Sequence, residues 1–308
     1  MTGNIDLSVR LTPGLTLINP VMTASGTFGY GNEYGDLVDI QKLGAIICKG
    51  TTLEPRDGNA QPRIIEVTAG ILNSIGLQNI GVEALIKEHA PVWAGWKVPV
   101  IVNIAGDTVE EYAKVASKLE GVKGVSGVEV NISCPNVKCG GMQFGTDPGM
   151  AAEVTKAVRA ATSLPLIVKL SPNVTDITVI AMAVEKAGAD AVSLINTLSG
   201  MAIDIDKREP MLGNLMGGLS GPAVRPVALQ MVYRVVGSVG IPVIGCGGII
   251  SGRHALEFIM AGATAVEVGT ATFTDPQSVL NIIIEDIQSF MAAEGVARIG
   301  DLRGAARK

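Results

Sequence analysis

Eight short, nearly continuous apolar runs, each followed by a turn and then by a helix-like pattern, predict an α/β fold with a parallel sheet. Their number and even spacing make a (β/α)8 TIM barrel the leading arrangement, with an open doubly wound sheet as the alternative. Composition agrees. Hydrophobic residues make up 47 % and charged residues 17 % of the 308 residues, which excludes a disordered chain. The 38 glycines and only 4 % aromatic residues suit many tight turns between buried strands. No shift in composition divides the chain, so residues 1–308 read as one domain.

The runs at 17–21, 45–49, 98–103, 127–132, 165–170, 191–195, 242–245 and 265–268 are read as strands. Their β-branched residues follow one another without alternation, as in a sheet covered on both faces. Helical patterns occupy 82–94, 108–119, 148–162, 177–187, 223–236, 251–261 and 276–293. Asp147-Pro148, Asp275-Pro276 and Ser251 stand where a cap or a first-turn proline belongs, and Gly188 and Gly262 where a terminating glycine belongs. Ahead of the first strand, residues 7–17 read as a hairpin that closes the end of the barrel away from the site. Connections 51–80, 133–146 and 197–220 are longer than a compact barrel needs. All three follow the C-terminal end of a strand, where barrel enzymes build their sites.

Several function classes are excluded. A net charge of −5 and the scarcity of aromatic residues leave no footprint for nucleic acid. No apolar stretch reaches the ~18 residues of a membrane span. The start, MTGNIDLSVRL, has neither a basic nor an apolar leader region, so no signal peptide is expected. Four cysteines (Cys48, Cys134, Cys139 and Cys246) are too few for a disulfide scaffold, so a reducing cytoplasm is expected. They also lack zinc or iron–sulfur spacing. His89 and His254 lie in helical stretches without a partner at ligand spacing, so no metal is expected and both read as ordinary surface or interface residues.

The chemistry collects at the strand ends. Lys49 ends the second strand, Asn103 the third and Asn131 the fourth, with Cys134 just beyond. The fifth carries Lys169, the sixth ends in Asn196-Thr197, and Asn73 lies in the long connection after the second. Any one of these residues would serve to cap a turn. Burying the whole set without partners would be costly. Carboxamides donate and accept together, and lysines suit an anion or a charge that develops during reaction. The set therefore points to a planar heterocycle bearing a carboxylate. After the seventh strand, Gly245-Cys246-Gly247-Gly248-Ile249, and after the eighth, Gly269-Thr270, match the place where barrels bind phosphate, and the pairing of the two favours phosphate over mere tight turns. Positions 250 and 34 are Ile and Tyr, so neither Gly245-x-Gly247 nor Gly29-x-Gly31 completes G-x-G-x-x-G, and a nicotinamide site is not supported. Cys134 precedes Pro135 and opens a glycine-rich loop, 134–145, placed to act as a lid.

The run Asn131-Ile-Ser-Cys-Pro-Asn136, continuing Val-Lys-Cys-Gly-Gly-Met-Gln-Phe-Gly-Thr146, resembles the dihydroorotate dehydrogenases. So do Ala24-Ser-Gly-Thr-Phe-Gly-Tyr-Gly31, Asn73-Ser-Ile-Gly-Leu77, Lys169-Leu-Ser-Pro172, Ile195-Asn-Thr197 and Gly247-Gly-Ile249, which span nearly the whole chain in order. The stretch 137–142 is similar to the NAD-linked type B branch of class 1. The resemblance implies an FMN-containing barrel that oxidises (S)-dihydroorotate to orotate in pyrimidine biosynthesis. It implies an electron-transfer subunit carrying FAD and a [2Fe-2S] cluster, with this chain as the homodimeric core of a heterotetramer. Cys134 would be the base that takes the C5 proton, its thiolate favoured by nearby lysines. Lys49, Asn73, Ser74, Ile75, Gly76, Leu77, Asn131, Asn196 and Thr197 would hold the substrate. Ser25, Lys49, Gly50, Asn103, Asn131, Lys169, Ile195, Gly221, Gly247, Gly248, Gly269 and Thr270 would hold FMN, with Lys169 near the flavin pyrimidine edge. Rival readings are a related flavin barrel acting on another pyrimidine, a Schiff-base aldolase-type lyase using Lys49 or Lys169, and a non-catalytic phosphate-binding scaffold.

Overall fold

The computed structural model describes residues 5–34, 37–133, 135–136, 142–274 and 276–308. Eight parallel strands run β1 (Val21–Thr23), β2 (Ile46–Ile47), β3 (Val100–Ile104), β4 (Gly127–Asn131), β5 (Leu166–Lys169), β6 (Ala191–Leu194), β7 (Val243–Cys246) and β8 (Ala265–Val268). Each pairs with its neighbour in sequence, β8 pairs back onto β1, and a Met22–Ala45 bridge joins β1 to β2 and closes the barrel. The expected barrel is therefore the fold, and the open sheet is not.

The helices are α1 (Val82–Glu88), α2 (Ala90–Trp93), α3 (Val109–Leu119), α4 (Pro148–Ala161), α5 (Ile177–Lys186), α6 (Arg225–Val236), α7 (Gly252–Met260) and α8 (Pro276–Glu294). Two predicted caps are made: Asp147 accepts from the Met150 N–H at 2.8 Å and Ser251 from that of His254 at 3.3 Å. Asp275, the third, lies outside the described residues. The stretch read as one helix over 82–94 breaks at His89, because Pro91 has no N–H to continue the ladder from α1.

The first strand lies later than expected. Leu17 belongs to an N-terminal hairpin (Val9–Thr12 with Leu15–Leu17), and the barrel strand begins only at Val21. The cause is Asn19-Pro20: the Asn19 carboxamide accepts from the Val21 N–H at 3.0 Å and donates to the Lys42 carbonyl at 2.7 Å, turning the chain between two apolar runs. Leu11, Leu15 and Leu17 of the hairpin pack on Met22, Ala45, Ile47, Ile101, Ile167, Ala191, Ile244 and Ala265. These are the lower inward side chains of the strands, so the hairpin plugs the bottom of the barrel, as expected. A second, larger core lies between the outer strand faces and the helices. Apolar cover on both faces is why the strands read as continuous runs.

Two of the long connections are ordered sheet. Ile64–Val67 and Gly70–Asn73 follow β2, and Leu198–Gly200 and Gly217–Ser220 follow β6. They combine into one four-stranded antiparallel sheet. Because β2 and β6 stand on opposite sides of the barrel, this sheet reaches across its C-terminal mouth. Gly218 makes the close approach possible, since any side chain there would collide with the Thr197 hydroxyl. The third connection contains the antiparallel pair Pro135–Asn136 and Met142–Gln143, and residues 137–141 lie outside those described.

Leu11→Ala should leave a cavity in the dry plug and lower stability by about 2–5 kcal/mol in a denaturant titration.

Candidate active site

Alternation along each strand decides what reaches the mouth. Facing inward, β3 carries Ile101 then Asn103, β5 Ile167 then Lys169, β6 Ala191 then Ser193, β7 Ile244 then Cys246, and β8 Ala265 then Glu267. The lower layer is apolar in every case. The upper layer is polar, and Glu129 and Asn131 of β4 join it.

At its centre lies a buried charged cluster. Lys169 Nζ donates to Glu267 and stands 4.0 Å from Glu129 Oε2. The Glu129 carboxylate accepts from Asn103 Nδ2 at 2.6 Å and from Ser193 Oγ at 2.7 Å. Burial alone would pull Lys169 down, but Cys246, Glu267 and Glu129 outweigh it and hold the lysine above its ordinary value, as an ammonium. Burial, then the Glu129 charge, pushes Glu267 up to about 8 despite Lys169. Burial likewise pushes the Cys48 and Cys246 thiols up to about 12, so neither supplies a thiolate near neutral pH.

Above the cluster stands a chain of carboxamides. Asn103 must turn Nδ2 toward Glu129, so its Oδ1 faces the other way, buried and without a hydrogen-bond donor among the described residues. A side chain on Gly50 would begin 3.1 Å from that oxygen. Asn131 Oδ1 accepts from the Ser133 N–H at 3.1 Å and from Asn196 Nδ2 at 3.2 Å. Asn196 Oδ1 accepts from the Thr197 N–H at 2.8 Å, and Asn73 Nδ2 donates to the Gly218 carbonyl at 3.2 Å beside the Thr197 hydroxyl. Asn131, Asn196, Thr197 and Asn73 thus form one continuous wall, although their elements are far apart in sequence.

Residues 73–77 pass over this wall. The Ser74 hydroxyl is buried with no partner among the described residues, Ile75 is half-buried, and Gly76 and Leu77 take left-handed backbone with φ of +74° and +55°. Asn79 holds the segment: its side chain donates to the Leu77 carbonyl at 2.7 Å and to Thr52 Oγ1 at 2.8 Å, and accepts from the Thr52 and Gly81 N–H groups. Lys49 is half-buried. With Tyr30, Arg56, Asp57 and Asn79 it lines an open cavity of about 460 Å³.

The glycines collect at the other side of the mouth. Gly247, Gly248 and Gly221 have φ of +135°, +69° and +102°. A Cβ on Gly248 would stand 2.7 Å from Arg225 Cβ and 2.8 Å from the Gly221 carbonyl oxygen, so only glycine fits. Thr270 Oγ1 donates to Ser220 Oγ at 2.8 Å, and its methyl group faces Gly221. Ile195 lies against Gly247, and Gly269 against Ala24, next to half-buried Ser25. The capped N-terminus of α7 opens three residues after Gly248. Bare backbone and a helix N-terminus together suit an anion.

The structure therefore brings the predicted lysines, amides and glycines to one end of the barrel. Cys134 lies outside the described residues, as do residues 137–141 of the expected lid. Sequence reasoning passed over Glu129, Glu267, Ser193 and Asn79. A signal existed for the first two, since each is an acidic residue between valines inside an apolar strand run. The structure also places the two histidines. His89 is half-buried, its ring stacked on Tyr30 at 4.1 Å and 5.9 Å from Trp93. His254 is half-buried at the start of α7, and burial, then Arg225, holds it below its ordinary value. Among the described residues no group of three His, Cys, Asp or Glu side chains is placed to hold a metal, and no helix is long and apolar enough to cross a membrane.

Lys169→Met should leave the acidic pair without its cation and lower stability at neutral pH by about 3–5 kcal/mol. The loss should shrink as pH falls and the carboxyls take up protons, which denaturant titrations at several pH values would show.

Residues 7–291 match the family model described as dihydroorotate dehydrogenase. The chain is 55 % identical over 300 residues to a protein of Geobacter sp. (strain M21) named dihydroorotate dehydrogenase B (NAD(+)), catalytic subunit, covering 97 % of this chain and 98 % of that one. A protein of the same name from Desulforamulus reducens is 57 % identical over 302 residues, covering 98 % and 99 %. Among solved structures, the Eimeria tenella DHODH in complex with ferulenol shares the fold with a TM-score of 0.83 at 22 % identity, over 98 % of this chain and 89 % of that one. Matched along nearly its whole length by the family model and by relatives more than half identical, this barrel belongs to the dihydroorotate dehydrogenase family of oxidoreductases.

Proposed function

We propose that the chain is the catalytic subunit of a type B dihydroorotate dehydrogenase, oxidising (S)-dihydroorotate to orotate in de novo pyrimidine (UMP) biosynthesis with FMN held at the barrel mouth. Electrons would leave for NAD⁺ through a separate subunit carrying FAD and a [2Fe-2S] cluster. The observation that carries this reading is the wall of Asn131, Asn196, Thr197 and Asn73 between a buried ammonium and a glycine cradle. A planar amide-rich ring, a carboxylate and a phosphate each find a complementary surface there.

The residues fit FMN on two counts. Asn103 Oδ1 is a buried acceptor that lacks a donor among the described residues, and the edge N–H of a flavin would supply one. Gly221, Gly247, Gly248, Gly269 and Thr270, with the N-terminus of α7, would hold the phosphate. Ser25, Lys49, Gly50, Asn131 and Ile195 would flank the ring, with Lys169 near its pyrimidine edge. When bound, FMN supplies the acceptor for the hydride from C6 of the substrate, at its N5.

The protein's own side chains do the rest. Asn73, Asn131, Asn196, Thr197 and the 74–77 segment would hold the substrate's amides and carboxylate. Lys49 would polarise the carbonyl beside C5, and Cys134 would take the C5 proton. The unfavourable shift of the two buried thiols supports leaving that role to Cys134, the cysteine of the family motif. The sheet over the mouth would exclude water. A Schiff-base lyase on Lys169 is disfavoured, because such a lysine needs a lowered pKa and this one is raised. The chain would work in the cytoplasm as the homodimeric core of a heterotetramer.

The test is anaerobic. The purified chain should be yellow with bound flavin and bleach on addition of dihydroorotate, and Cys134→Ala should keep the flavin but bleach about 10²–10⁴-fold more slowly. A colourless chain that takes up no FMN, or a yellow one indifferent to dihydroorotate, would overturn the reading.

A further inference from the structure

The assignment of Lys169 to the pyrimidine edge leaves two acidic side chains beneath it unexplained. Glu129 and Glu267 are 0 % and 1 % exposed, and both reach the same ammonium. Two carboxylates against one cation would leave a surplus negative charge in a buried interior, where charge is costly. The hydrogen-bond count points the same way. Both Glu129 oxygens have donors, in Asn103 and Ser193, and one Glu267 oxygen has Lys169. The remaining oxygen, Glu267 Oε1, is buried without a donor among the described residues. A proton would remove both the surplus charge and the unmet bond.

We propose that Glu129 and Glu267 are positioning residues that share one proton, so that Lys169 is held as an ammonium against a single negative charge at the top of β5. What Lys169 faces rests on the function proposed above; the shared proton rests on these side chains alone. Among the described residues, the titratable side chains that act on the pair come from several strands. Lys169 comes from β5, Glu129 from β4, Cys246 from β7, and Cys48, which feels Glu129, follows β2. Opposite Glu267 on β1 stands Met22, which cannot titrate. Both thiols stay neutral, and Asn103 and Ser193 carry no charge.

The sign of the pH effect follows. An unfolded glutamate releases its proton near its ordinary 4.5, whereas Glu267 in the folded protein keeps its proton up to about 8. Stability from this site is full below the first value and is lost as pH rises to the second. The denaturation midpoint of the holoprotein should therefore decline across that window relative to Glu267→Gln or Glu129→Gln. Above it, Glu267→Gln should be the more stable protein. Loss of the proton also adds negative charge beneath the flavin. The flavin midpoint potential should then fall more steeply with pH in the unmutated protein than in Glu267→Gln, a difference that a merely structural role would not produce. Should either variant fail to fold, the infrared spectrum of the unmutated protein decides. A protonated-carboxyl band at neutral pH that vanishes in alkali supports the shared proton, and its absence overturns it. Identical pH slopes in the unmutated protein and both variants would also overturn it. A chain that binds no FMN would defeat the functional reading instead, and the stability and infrared measurements would still decide the proton.

Discussion

The ion pair between Lys169 and Glu267, extended by Glu129 to Asn103 and Ser193, is the interaction around which the upper barrel is organised. Closing eight strands drives alternate side chains into a space that water cannot reach. A polar group there must find its partner on another strand or be left exposed to a ligand. Five strands contribute one residue each to this network, from β3, β4, β5, β6 and β8. Its geometry is therefore fixed by the stagger of the whole barrel, which any one loop could change only slightly. The apolar layer below and the leucine plug beneath it keep the network dry from the other side.

Dryness explains the division of labour at the mouth. Deep side chains are held by other side chains, so they are rigid and their ionisation is displaced: Lys169 and Glu267 upward, and both buried thiols upward. Shallower groups, such as Asn131, Asn196 and Thr197, satisfy one another only in part and keep capacity for a bound molecule. At the glycine cradle, Arg225 is engaged with Glu257. Backbone N–H groups and a helix N-terminus are what remain there to meet an anion.

Much of this was legible in the sequence. The repeat of apolar run, turn and helical pattern specifies a parallel α/β fold and favours the barrel over an open sheet, because a parallel strand covered on both faces leaves a continuous apolar signature. Lysines and amides at the strand ends marked the mouth, because polar residues at the edge of such runs have few other places to go. Other features were legible only in part. Asn19-Pro20 was enough to split the first run in two, yet Leu17 and Val21 look alike until the hairpin shows that they serve different ends of the barrel. Glu129 and Glu267 were visible as charges among valines, but the cation they meet lies 40 and 98 positions away, beyond any local pattern.

By itself, then, the sequence determined the fold class, the family and the set of chemical groups at the mouth, because strand periodicity and short motifs are local properties. Tertiary structure alone decided which of those groups pair and which are left for a ligand. Asn103 is an ordinary strand-end amide in the sequence. It becomes a buried acceptor without a donor among the described residues only because Glu129, on the adjacent strand, claims its N–H₂. The connections after β2 and β6 read as long loops. They become one sheet because the barrel sets their ends on opposite sides of the same opening, close enough for backbone to pair with backbone across it.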